Sequence, residues 1–292
     1  MQNVLGRITT TLSKLGFNLD RNRNGVDILS AKLEILEKTK RYSLLLSDLF
    51  ACNDINNFKA LIVEATFAHA FESANLPLLY EVKQSNDHHS TVDFLRETQD
   101  GQKIYLELRV TQQRDQIKKE IENQLKLTNM YSVSLNGPGE HEEIVRLQSN
   151  ILAKTQDKNG NSIKFFSTES GIFNIVVPEI SEIILGTVDK SDCMLTAYGD
   201  PYVEPHERRK IFGLFQKPES HYPDHILAIA DLFSQIRKTI HGILFVVKHS
   251  KSGTLDFDLL YYLIPNIELV SDSEALLLDK EFMRALGPWN DQ

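Results

Sequence analysis

TVDFLRETQDGQKIYLELRVTQQ, Thr91 to Gln113, is the stretch whose reading decides the fold. Apolar and polar residues alternate with period two from Val92 to Phe94 and again from Ile104 to Val110, which predicts two half-buried strands. Asp100-Gly101 between them is a hairpin turn signal. A two-residue loop there pairs Asp93 with Leu108 and leaves Asp93 and Glu107 on opposite faces. A three-residue loop, Gln99-Asp100-Gly101, with Gly101 left-handed as a bulge, pairs Asp93 with Glu107. The second register is favoured because it gathers Val92, Phe94, Leu106, Leu108 and Val110 on one apolar face. The other face then carries Thr91, Asp93, Glu107, Arg109 and Thr111.

Two carboxylates facing each other across neighbouring strands repel unless a cation lies between them or one holds a proton. The pair is therefore a candidate site for Mg2+ or Mn2+, hard ions that prefer carboxylate oxygen and keep positions open for water and phosphate. Arg109, two residues past Glu107, projects beside them and is suited to holding a phosphate oxygen. The plainer alternative is the wet face of an ordinary antiparallel hairpin.

The arrangement resembles the PD-(D/E)xK nuclease superfamily, with its restriction-endonuclease-like fold. Val92-Asp93 stands for the acid ending one strand, and Glu107-Leu108-Arg109 for the acid-x-lysine triplet on its partner. The resemblance runs from about Asn57 to Gln124, and it implies metal-dependent hydrolysis of phosphodiester bonds in DNA or RNA, with DNA favoured. It further implies that a glutamate on the preceding helix joins the metal site, for which Glu64 is chosen and Glu72 is the alternate. A glutamine shortly after the triplet contacts the reacting centre in several branches, which nominates Gln113. Dimers are common among enzymes of this fold that cut both strands, so a homodimer is one expectation. The triplet ends here in Arg109 instead of lysine. Arginine stays charged, so it can stabilise a pentavalent phosphate but cannot act as a base.

Glu64 also stands out on its own, because it rises from the apolar stripe of Ala60, Leu61, Phe67 and Ala68 in a helix predicted over 56–74, and a half-buried acid needs a partner. Glu81-Val82-Lys83 on a strand predicted over 78–82 is a competing acid-x-lysine triplet, and Lys83 is a candidate for the lysine missing at 109. Farther on, His206, Arg208, Arg209, Lys210 and Lys217 surround Phe212 and Phe215, the most basic aromatic window in the chain. It can grip a nucleic-acid strand by charge and stacking, or its phenylalanines can anchor a loop to the core.

Around these residues the periodicities predict a helix ended by Gly16, a turn at Arg21 to Gly25, and a helix from Asp27 to about Phe50. A helix follows the hairpin over about 115–130, and another runs over 142–156. A strand over 172–177 is stopped by Pro178. A helix over 224–240, two strands over 243–247 and 257–264, and a final helix capped by Ser271 and Glu274 complete the chain. The expected fold is α/β, a central mixed sheet flanked by helices. An N-terminal helical segment occupies 1–52, a nuclease-like core 53–200, and a C-terminal αββα extension packed on the core 201–292.

In 292 residues, 41% are apolar and 25% charged, ordinary for a soluble globular protein, and the net charge of -8 gives no global attraction to nucleic acid or an anionic membrane. Two cysteines, Cys52 and Cys193, form neither a disulfide framework nor a zinc spacing. No stretch approaches the ~20 apolar residues of a membrane span, and the N-terminus lacks a signal-peptide run. A cytoplasmic protein with no membrane partner is expected. The missing lysine and acidic balance also admit a catalytically inactive nuclease-like binding module.

Overall fold

In the computed structural model, the residues described are 3–84, 90–113, 140–157, 159–165, 168–183, 188–200, 211–251 and 254–290. Four helices come first: α1 (Val4–Lys14), α2 (Arg23–Thr39), α3 (Ser43–Ala51) and α4 (Ile55–Ser73). The hairpin strands β1 (Leu79–Val82), β2 (Val92–Glu97) and β3 (Lys103–Val110) follow, then α5 (Glu140–Thr155) and β4 (Ile172–Glu179). The remaining elements are α6 (Lys190–Tyr198), α7 (Asp224–Leu232), α8 (Ser234–Thr239), β5 (Gly242–Ser250), β6 (Phe257–Pro265), α9 (Asp272–Ala285) and β7 (Gly287–Pro288).

The seven strands make one sheet in sequence order. β1, β2 and β3 form an antiparallel meander; β3–β4 and β4–β5 are parallel; β5–β6 is antiparallel and β6–β7 parallel. The fold is thus α/β with a mixed sheet, as the patterning predicts. β5 and β6 prolong the sheet of β1 to β4, so residues 242–265 join the core through a backbone ladder.

Period-two alternation sends odd and even strand residues to two cores. Phe94, Ile104, Leu106, Leu108, Phe173, Ile175 and Val177 pack with the first four helices and α9. Leu95, Tyr105, Val176, Ile243 and Phe245 pack with α5 to α8 on the other side. Val92 departs from expectation. It joins the second core, beside Val82, while Phe94 lies in the first. Glu81 between them on β1 has φ +52, which breaks the pleat at that level.

Three helical expectations change. Arg23 to Gly25 lies within α2 and does not form a turn, with Asn22 and not Asp27 at the N-cap position. Gly25 is there for packing, since a Cβ would meet the Leu255 Cβ at 3.2 Å. The helix expected to run to Phe50 is two helices, because Lys40 at φ 61 ends α2. Pro178 does not stop β4, which continues to Glu179. The proline lacks an amide donor, and the β4–β5 register shows a gap at Val177 and Pro178. Helix α6, capped by a reciprocal Asp189–Asp192 box, was not signalled by the pattern. The helix expected over 115–130 lies outside the described residues.

Candidate active site

The hairpin closes in the three-residue register. Phe94 pairs with Leu106, Leu95 with Tyr105, Arg96 with Ile104 and Glu97 with Lys103. At the turn, the Thr98 amide donates to Gln102 O at 2.9 Å, and Gly101 has φ +80. The paired ladder ends at Phe94 and Leu106, one residue short of Asp93 and Glu107. The Lys103 and Thr111 amides donate to β4, so the even-numbered amides of β3 face β2. At Leu108 that amide donates to the Asp93 carboxylate, Oδ2, at 2.7 Å. Asp93 is thus fixed where the ladder loosens, opposite the left-handed Glu81 of β1.

Glu107 is wholly buried. Its Oε1 accepts from Lys154 Nζ at 2.7 Å and from Lys164 Nζ at 2.5 Å. Its Oε2 is buried without a hydrogen-bond partner. Lys154 comes from the last turn of α5, whose Ile144, Leu147 and Ile151 are buried. Lys164 comes from the loop after α5, which is held by Ser90 Oγ donating to Ile163 O and by the fully buried Phe165.

Glu64 reaches the same place from α4, accepting from the Tyr80 hydroxyl at 3.0 Å. Loss of hydration pushes its carboxyl up to about 8, the charge of Asp93 adds to this, and Tyr80 and Lys154 oppose it. Loss of hydration and then Glu107 push Asp93 up to about 7, against Lys154, Lys164 and the Leu108 amide. Burial pulls Lys154 down, but Glu107 and Asp93 outweigh it and hold the ammonium above its ordinary value. Three acids and two lysines from five segments of the chain therefore form one electrostatic cluster.

The other nominated residues are placed as follows. Arg109 lies close enough to Lys154 for its charge to oppose that ammonium, and its Nε is buried without a hydrogen-bond partner. The Gln113 backbone amide donates to Glu182, which is also held by Lys59 at 2.8 Å. Lys83 is exposed just past β1, and the lysines on Glu107 are instead 154 and 164. Glu72, the alternate to Glu64, is held by Arg41 at 2.7 Å and by the Tyr42 hydroxyl at 2.7 Å, a structural anchor for α3 and α4. Arg208, Arg209 and Lys210 lie outside the described residues. Phe212 and Phe215 are core residues of the second cluster, so they anchor their segment and are not stacking platforms.

Lys154 and Lys164 were not nominated from the sequence. A signal for the first exists: Ile144, Leu147 and Ile151 are spaced three and four apart, and 154 is the next position on that buried stripe. A lysine there needs an acid. Lys164, in an irregular loop, has no comparable signal.

The acids fit a divalent ion. Asp93 and Glu107 supply two carboxylates, with a buried oxygen of Glu107 unpartnered, and Mg2+ is commonly held by one or two carboxylates, with water and phosphate oxygens completing its shell. No group of three or more His, Cys, Asp or Glu among the described residues is arranged to hold a metal. No helix among the described residues is long and apolar enough to cross a membrane.

No family model matches the chain, and no curated protein matches it significantly. Among solved structures it is similar to that of Pyrococcus furiosus SfsA in complex with Ca2+, at 14% identity and a TM-score of 0.25. The similarity covers 69% of this chain and 61% of that one, so this chain spans about three fifths of that protein's length.

Proposed function

We propose that the chain is a PD-(D/E)xK-type nuclease that hydrolyses phosphodiester bonds of nucleic acid, DNA ahead of RNA, with Mg2+ or Mn2+ held by Asp93 and Glu107. One observation carries this reading. Asp93 and Glu107 come together where the hairpin ladder ends, the charge of Glu107 raises the Asp93 carboxyl, and one buried oxygen of Glu107 is left without a hydrogen-bond partner. When bound, the metal would polarise the phosphate and lower the pKa of a water. The water oxygen bonds to phosphorus while the bond from phosphorus to the leaving oxygen breaks, and solvent protonates the leaving oxygen. Glu64, held at the site by the Tyr80 hydroxyl, takes the water's proton when ionised. Arg109 donates to the phosphate as negative charge builds on it.

Asp93→Asn and Glu107→Gln test this on labelled single- and double-stranded DNA and RNA with either ion. Both variants should lose cleavage while keeping the wild-type circular dichroism spectrum. Retained cleavage in either would sink the assignment. A second reading has one observation in its favour: two ammoniums, of Lys154 and Lys164, already pair with Glu107. On that reading the chain is a binding module with structural acids, and Asp93→Asn leaves nucleic-acid affinity intact in a wild type that cuts nothing.

A further inference from the structure

The two lysines on Glu107 differ in what else they reach. Lys164 is confined: its side chain is 17% exposed, Ile163 beside it is tied to Ser90, and Phe165 is buried. Its charge acts on Asp93 and Glu107. Lys154 is 26% exposed, lies 2.7 Å from Glu107 Oε1, and its charge favours the ionised forms of Asp93 and Glu64. Its helix is pinned by Leu147 and Ile151 in the core and by the Gln148 amide, which donates to Thr196 O at 3.1 Å and Phe212 O at 2.9 Å. A partly exposed cation on a core-anchored helix, in contact with Glu107, is placed to meet a phosphate arriving at that carboxylate.

We infer that Lys154, reaching in from α5, is the catalytic ammonium that donates to the phosphate oxygens at the reacting centre, and that Lys164 is a positioning residue that holds the Glu107 carboxylate. This rests on the phosphodiesterase reading above. Attack places additional negative charge on the phosphate oxygens, and a preorganised ammonium in a water-poor site stabilises that charge without reorganising. Paired with Glu107 at 2.7 Å, Lys154 acts as a donor and not as a base. Arg109, two residues beyond Glu107 on β3 and with its Nε buried without a hydrogen-bond partner, supplies a second donor.

The test uses the full chain with Mn2+ and a labelled oligonucleotide, kcat and KM being measured separately, and Mn2+ binding being followed by calorimetry. Lys154→Met should lower kcat about a hundredfold to a thousandfold while KM stays within a few-fold. It should also tighten Mn2+ binding, because a positive charge has left the acids. Lys154→Arg, which keeps the charge and the fold, should recover part of the rate. Lys164→Met should cost less rate than Lys154→Met and broaden or weaken Mn2+ binding as Glu107 is released. If Lys154→Met cuts at the wild-type rate while Asp93→Asn is dead, the inference is overturned and the nuclease reading stands. Weakened Mn2+ binding in Lys154→Met would also overturn it, because the lysine would then serve only to place Glu107. A wild type that cuts no substrate with either ion overturns the nuclease reading itself, and this inference with it.

Discussion

Glu64 and Asp93 make the protein's stability depend on pH in an unusual direction. Each carboxyl is raised in the fold, Glu64 from 4.5 to about 8 and Asp93 from 3.8 to about 7. A raised acid binds more protons folded than unfolded, so its contribution is fully present below the unfolded pKa and is lost as pH rises through the folded one. Thermal melting should therefore show Tm falling from about pH 5 to about pH 8. Glu64→Gln should flatten that fall and melt higher than wild type at pH 8. Saturating Mg2+ should raise Tm more at pH 8 than at pH 6, because the ion competes with protons for the acids. A Tm that rises across this range in the wild type would refute the burial of these carboxyls. Glu72 is held by Arg41 and by the hydroxyl of the fully buried Tyr42. Glu72→Ala strands that hydroxyl and should cost about 1–3 kcal/mol by urea unfolding, with no effect on metal binding.

At the scale of elements, the hairpin turn governs the site fifteen residues of chain around it. Gly101 at φ +80 closes the three-residue loop, and its open surroundings mean that only backbone strain opposes a side chain there. Gly101→Ala should cost about 1–2 kcal/mol. Deleting Gln99 to leave a two-residue loop should shift the register, separate Asp93 from Glu107 and abolish Mn2+ binding, which calorimetry would detect. Unchanged binding would show that the strand faces, not the turn, set the register. Gly213 is constrained for a different reason. A Cβ there would collide with the Tyr198 carbonyl carbon, where the segment after residue 211 crosses the end of α6. The Ser271 cap on α9 is an ordinary one, and Ser271→Ala should cost about 1 kcal/mol.

Over the whole molecule, the sheet is continuous from β1 to β7, with β5 the inner neighbour of β4. A chain cut after residue 220 loses β5, β6 and α9, exposes the edge of β4, and uncovers Ile175, Val177 and Phe173 of the first core. It should show no cooperative melting transition; a folded, cooperative 1–220 fragment would establish the C-terminal part as separable. The sequence by itself determined the hairpin, its three-residue turn, α4 with Glu64, and the capping box of α9. These are written in short-range signals, periods of two and 3.6 residues and a turn dipeptide, which act between residues close along the chain. Tertiary structure alone decided that Val92 turns to the second core, that Pro178 sits inside a strand, and that Lys154 and Lys164 close on Glu107. Those lysines lie 47 and 57 residues from it, and a contact across that separation exists only once α5 is packed on the sheet. No local period records which charged side chain a buried acid will find; the packing of whole elements against one another does.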